Sequence, residues 1–254
     1  MGVVEKIMKR EDFKIEICAN SAESCIAAQK GGADRVELCA SIPEGGTTPS
    51  YGEIMVAREA ITIGLNVIIR PRGGDFLYSP REIDAMVKDI EICRRAGADG
   101  LVFGVLKADG AVDMRAMSVL MEAAGNIPVT FHRAFDHAAE PFKALEDIIS
   151  LGCARILTSG QQPTAEKGIP LIAGLVKRSA GRIIIMPGCG VREGNIAGIA
   201  SETGAREFHF SAREQVASGM VFRNRAVCMG AECDEFVRDV TTPERVAATI
   251  SELV

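Results

Sequence analysis

Short runs rich in Val and Ile alternate with helix-length amphipathic stretches along almost the whole chain, and this rhythm restricts the possible folds more than any other property. The strand-like runs fall at 13–18, 35–40, 66–72, 100–106, 128–135, 155–160, 182–188 and 207–213. Between and after them the spacing predicts helices at 21–30, 50–61, 79–96, 113–124, 141–151, 169–179, 195–203 and 242–253. Alternation of this kind specifies a parallel sheet with helices packed outside it. Gly32-Ala33-Asp34, Gly97-Ala98-Asp99 and Gly204-Ala205 each precede a strand and read as helix C-caps followed by a tight turn. Eight units in 254 residues match a (β/α)8 barrel, whereas a doubly wound sheet seldom repeats eight similar units. The expected fold is therefore α/β, a single TIM-barrel domain over 1–254 with parallel strands. One irregular insertion is expected at 214–241, between the last strand and the last helix, covering the mouth or meeting a partner subunit.

Composition narrows the function classes. A hydrophobic content of 47% suits a chain that buries a large core, and a net charge of -5 offers no broad electrostatic footprint for nucleic acid. Residues 1–12 mix Lys and Arg with Glu and hold no long apolar segment, so neither a signal peptide nor a membrane span is expected. Eight cysteines occur without a Cys-x-x-Cys pair, a pattern of reduced thiols in the cytoplasm.

The first two strands are near copies. Ile15-Glu16-Ile17-Cys18-Ala19 and Val36-Glu37-Leu38-Cys39-Ala40 each put a carboxylate and a thiol on one face and only apolar groups on the other. The same alternation turns Phe208 and Phe210 toward the helices and leaves Glu207, His209, Ser211 and Arg213 inward. In strand three it points Arg70 and Arg72 inward, with Val67 and Ile69 outward. Glu16, Glu37 and Glu207 are then expected to face Arg70, Arg72 and Arg213 around one ring. Two readings of that ring stand open: an ion-pair network that sets strand register, since buried charges need partners, or part of a functional site.

Barrel active sites lie at the C-terminal ends of the strands, where this chain is unusually polar. The candidates for acid–base or charge-stabilising work are His132, Asp136, Arg70, Arg72, Asp75 and His209. The turn Pro187-Gly188-Cys189-Gly190-Val191 before a helix has the form of an anion cradle, with Gly188, Gly190, Ser211 and Arg213 as its members. Cys18 and Cys39 are the candidate metal ligands, because two soft thiolates suit Cu(I) and disfavour hard cations. Cys228 and Cys233, in the insertion, are expected to be more open to oxidation.

Longer motifs carry a resemblance. Arg35-Val36-Glu37-Leu38-Cys39, Pro43-Glu44-Gly45-Gly46-Thr47-Thr48-Pro49-Ser50, Ile69-Arg70-Pro71-Arg72-Gly73-Gly74-Asp75-Phe76, Thr130-Phe131-His132-Arg133-Ala134-Phe135-Asp136 and Phe208-His209-Phe210-Ser211-Ala212-Arg213 resemble the CutC family of copper homeostasis proteins. Asp99-Gly100-Leu101-Val102-Phe103-Gly104 and Leu157-Thr158-Ser159-Gly160 belong to the same pattern, which runs from about residue 13 to the end. The resemblance implies a (β/α)8 barrel and a cytoplasmic protein of copper tolerance or trafficking that binds Cu(I), with the thiols falling on Cys18 and Cys39. It also implies an oligomer, a homodimer or homotetramer. Cys189 departs from the family pattern, where Gly is common. Beside this reading stands an enzyme acting on a small anionic metabolite, phosphorylated or not, with no organic cofactor evident and neither nucleic acid nor membrane as partner.

Overall fold

The computed structural model describes residues 9–224, 226–227 and 234–253. Eight parallel strands form one sheet in the order β7-β6-β5-β4-β3-β2-β1-β8. They are β1 (Lys14–Ala19), β2 (Arg35–Leu38), β3 (Gly64–Ile68), β4 (Gly100–Phe103), β5 (Val129–Phe131), β6 (Arg155–Thr158), β7 (Ile184–Pro187) and β8 (Glu207–Phe210). Because β8 pairs with β1, the sheet curls into a nearly closed barrel. Among the described residues β7 and β8 pack side by side without a ladder, and Pro187 at the end of β7 has no N–H to offer one. The sequence-derived barrel is the observed fold.

Helices α1 (Ala22–Lys30), α2 (Tyr51–Ala60), α3 (Pro80–Arg95), α4 (Met114–Ala124), α5 (Pro141–Ser150), α6 (Ile169–Ser179), α7 (Ile196–Thr203) and α8 (Pro243–Ser251) follow the eight strands in turn. Their starts are written locally. Ser21, Ser50, Ser79 and Asp113 each accept a first-turn backbone N–H on the side chain, and Ser79 with Glu82 completes a reciprocal capping box.

Alternation then sorts the strand residues. Ile15, Ile17, Val36, Leu38, Val67, Phe103, Phe131 and Phe208 are fully buried between sheet and helices. Inside the barrel a smaller apolar group gathers Cys18, Cys39, Ile42, Ile68 and Val102. Below that group the interior is charged, which requires closely spaced partners. Gly100 helps make room there, since a Cβ on it would collide with Asn66 Oδ1.

The segment after β8 is less irregular than its composition suggests. Its ends pair as an antiparallel ribbon, β9 (Arg213–Ala217) with β10 (Val237–Thr241). The ribbon is fastened to the barrel where Asn20 Nδ2 donates to Asp239 O at 3.1 Å and Thr241 Oγ1 donates to Ser211 O at 3.0 Å. Met220, Val221 and Phe222 beyond β9 are exposed. Cys228 and Cys233 lie outside the described residues.

Candidate functional site

The C-terminal ends of the strands open into a cavity of about 580 Å³, with Cys18, Glu37, Cys39, Arg70, His132 and His209 among its lining residues. In the β1–β2 register Cys18 stands opposite Glu37, so Cys39 lies two residues further up β2 on the same inward side. The sulfurs nevertheless come within 3.4 Å of each other. With one oxygen of Glu37 they form a group whose ligand atoms all lie within 4.8 Å. Glu37 Oε1 is buried and accepts no hydrogen bond among the described residues, which leaves it open to a further partner.

Beneath the thiols is a layer of paired charge that differs from the expected ring. Arg35 bridges two carboxylates, donating from Nε to Glu16 Oε2 at 2.6 Å and from an Nη to Glu207 Oε2 at 2.5 Å. Asn66 Nδ2 adds a donor to Glu16 at 2.8 Å, and Arg155 Nε a second one to Glu207 at 2.7 Å. Glu16 Oε1 meets His209 Nδ1 at 2.8 Å, because Glu16 and His209 are register partners on β1 and β8. Arg70, Arg72 and Arg213 therefore do not balance Glu16. Arg35, two residues before Glu37, and Asn66, four before Arg70, were both legible as inward from the alternation that placed Glu37 and Arg70.

These contacts set the charges. Burial opposes the ionised Glu16, yet Arg35 and His209 hold its carboxyl far below the usual range. Burial likewise opposes a charged His209, but Cys18, Glu16 and Glu37 raise it well above an ordinary imidazole. Glu37, lacking an arginine in contact, is pushed up to about 8 by burial. The Cys18 thiol is held well below its usual value, first by the hydrogen bond from Cys39 and then, against desolvation, by His209 and Arg213. Arg213 donates to Cys18 Sγ at 3.2 Å. Cys39, its hydrogen-bond partner, is correspondingly raised. Of the two thiols, Cys18 is therefore the one whose surroundings favour the thiolate. Cys25, Cys93 and Cys153, buried among helices and turns, are pushed up to about 12 by desolvation and are unreactive by comparison.

The other predicted residues divide. His132 lines the cavity, and burial and Arg70 together push it down to about 3, so it is neutral. Arg70 also lines it, donating to the carbonyls of Glu44, Gly46 and Gly74 and so tying two mouth loops together. Arg72 and Asp75 are not at the cavity. Strand β3 ends at Ile68 before Pro71, alternation lapses, and Arg72 turns outward to Glu82 at 2.6 Å and Asp75 at 3.1 Å.

Asp136 is not an open acid or base either. It accepts from Thr158 Oγ1 at 2.5 Å, from the N–H groups of Ser159 and Gln161 and from Arg133 Nε at 2.8 Å, clamping the loop after β6. Of the expected anion cradle, Gly190, Ser211 and Arg213 line the cavity, and Gly188 is not among its lining residues. Gly188 N–H is committed to Thr158 O at 2.9 Å, Gly190 O is held by Asn195 Nδ2 at 2.9 Å, and Arg213 turns to Cys18. Ser211 and Gly190 remain at the cavity wall.

A family model described as the CutC family matches residues 13–214, a span that includes both thiols, Glu37, His132, His209 and Arg213. The chain belongs to the CutC family. A CutC family protein of Bacteroides thetaiotaomicron is 62% identical over 244 residues, covering 95% of this chain and 98% of the relative. The human copper homeostasis protein cutC homolog is 49% identical over 236 residues, covering 92% of this chain and 86% of the relative. A solved CutC structure from Streptococcus agalactiae superposes with a TM-score of 0.76 at 35% identity, over 78% of this chain and 98% of that one. Thiamine phosphate pyrophosphorylase from Pyrococcus furiosus, at 15% identity and a TM-score of 0.57 over 96% of this chain and 98% of that one, shares the fold alone. CutC membership thus joins the barrel and its thiol pair to a family in which some relatives are named for copper homeostasis.

Proposed function

We propose that this chain serves copper homeostasis by taking up Cu(I) at Cys18 and Cys39, with Glu37 as the nearest oxygen donor. The observation that carries the reading is the pair of cavity-lining sulfurs 3.4 Å apart, one of them 3.2 Å from an Arg213 nitrogen. Two soft donors and one carboxylate fit a low-coordinate Cu(I) and are a poor set for Mg or Ca. With metal–thiolate bonds of about 2.3 Å, the present separation corresponds to an S–metal–S angle of about 95°. A linear two-thiolate ion needs the sulfurs about 4.6 Å apart by the same bond length. A bent site with Glu37 as third donor therefore needs less movement than a linear one. The names of the relatives support copper as the cargo, and the reading takes the protein to be cytoplasmic, where thiols stay reduced.

Thiols ligate as thiolates, so uptake is coupled to release of whatever proton the pair holds. The test is anaerobic Cu(I) titration against a competing chelator. The wild-type chain is expected to take up one ion, and the Cys18→Ser, Cys39→Ser double variant is expected to lose that uptake. Undiminished binding by the folded double variant refutes the assignment.

A further inference from the structure

The cavity is far larger than a metal ion requires. About 580 Å³ lies within the range of small-molecule sites, about 300–1,000 Å³. Cys18 and Cys39 occupy only one side of it. Strand β5 stands four positions from β1 around the eight-strand sheet and so faces it across the barrel, and His132 follows β5 directly.

His132 is 4% exposed, and its Nδ1 accepts the Ala134 N–H at 3.2 Å. In a neutral imidazole the proton then sits on Nε2, which is buried and has no partner among the described residues. A buried donor left unpaired is costly, so a ligand that accepts from it gains what the empty protein forgoes. Gly104 lets the ring in: a Cβ there would meet His132 Nδ1 at 2.9 Å.

Arg70 shares this wall. Its guanidinium lies 5.1 Å over the Phe76 ring, whose centroid is 4.9 Å from that of His132. Its two Nη atoms donate to three backbone carbonyls, and its Nε has no hydrogen-bond partner among the described residues. Among the described residues no carboxylate comes within ion-pair distance of Arg70, although the residue is only 5% exposed. A buried cation without a counter-ion is an anomaly in a protein that pairs Glu16 and Glu207 so carefully. The neighbouring surface is apolar, made by Ile42, Ile68, Leu157 and Val191.

We propose that the cavity binds a small organic carboxylate, its anionic head taken by His132 Nε2–H and the uncompensated Arg70 guanidinium and its carbon body by the apolar wall. Arg213, the other cavity arginine without a carboxylate partner among the described residues, turns to Cys18, which leaves Arg70 as the cation on the His132 wall. The turn after β7, the usual phosphate cradle of a barrel, has Gly188 N–H already committed. The site stands independently of the copper reading, since it uses neither Cys18 nor Cys39.

Benzoate and pyruvate serve as probes, with benzamide as the neutral control and inorganic phosphate as the competing anion. Each is titrated into the full chain and followed by calorimetry and by the His132 Nε2–H resonance of histidine-labelled protein. Benzoate or pyruvate is expected to bind and shift that resonance, benzamide and phosphate to bind at least about tenfold more weakly. His132→Leu should weaken carboxylate binding roughly tenfold or more, the worth of one charge-assisted hydrogen bond. His132→Gln, which keeps an N–H donor, should retain most of it. The Cys18→Ser, Cys39→Ser variant should bind the carboxylate as the wild type does, so loss of copper uptake and loss of carboxylate binding separate cleanly. Absence of a shift with both carboxylates, a preference for phosphate, or equal binding by folded His132→Leu overturns the proposal. Should His132→Leu fail to fold, the wild-type resonance decides.

Discussion

Replacing Arg35 by Met tests the charged layer on which the thiols stand. Arg35 is about one-tenth exposed in its side chain and bridges Glu16, fully buried, and Glu207, 11% exposed, so solvent screens neither contact appreciably. Removing one partner of a buried pair costs about 3–5 kcal/mol. Glu16 keeps Asn66 and His209, and Glu207 keeps Arg155, so the cost belongs at the lower end, about 3 kcal/mol. For a chain of this length that corresponds to a melting temperature lower by roughly 6–12 °C.

The deficit should also depend on pH in a defined direction. Glu16 is depressed in the folded state, so its pairing adds stability above its ordinary value of 4.5 and loses it as pH falls through the folded value. In Arg35→Met that depression shrinks, so the gap to wild type is full at pH 7 and narrows below about pH 4.5. Urea denaturation at pH 7 and pH 4 measures all of this. If Arg35→Met is as stable as wild type at pH 7, the layer is not the paired network described, and the reasoning fails.

Three further outcomes follow from the same contacts. Cu(I) affinity should rise by about tenfold per pH unit between pH 6 and 8 if one thiol proton leaves, and more steeply if Glu37, pushed up to about 8, also ligates; chelator competition across pH measures the slope. Cys189→Gly should stabilise the fold by up to about 1 kcal/mol in thermal melts, since Cys189 sits at φ 75°, and a loss of stability would show that its contact to Pro163 O matters more. Asp136→Asn should cost about 2–3 kcal/mol and loosen the loop after β6 in hydrogen exchange, because an amide turns a donor toward groups that themselves donate; unchanged protection at Ser159 and Gln161 would contradict the clamp.

The eight strands and eight helices were legible because local physics writes them. Period-two alternation, capping serines such as Ser21, Ser50 and Ser79, and C-terminal glycines act within a few residues, and eight repeats close on themselves without further instruction. The inward direction of Glu16, Cys18, Glu37, Cys39 and His209 follows from the same alternation, and so does the presence of a thiol pair. Family motifs such as Arg35-Val36-Glu37-Leu38-Cys39 were equally readable and agree with CutC membership.

Partnership was another matter, because it depends on stagger between strands and on where a strand stops. The register that sets Cys18 beside Glu37 brings Cys39 diagonally to the same sulfur, and no pattern within either strand contains that offset. Which arginine answers Glu16 was decided by the same stagger, in favour of Arg35. Arg72 and Asp75 left the mouth because β3 ended four residues early, and Asp136 was spent on its neighbours' N–H groups. The chain by itself determined a barrel with acids and thiols turned inward; only closure of that barrel decided that the two sulfurs meet at 3.4 Å while the Nε of Arg70 and the Nε2 of His132 are left without partners among the described residues, since those distances run across strands rather than along them.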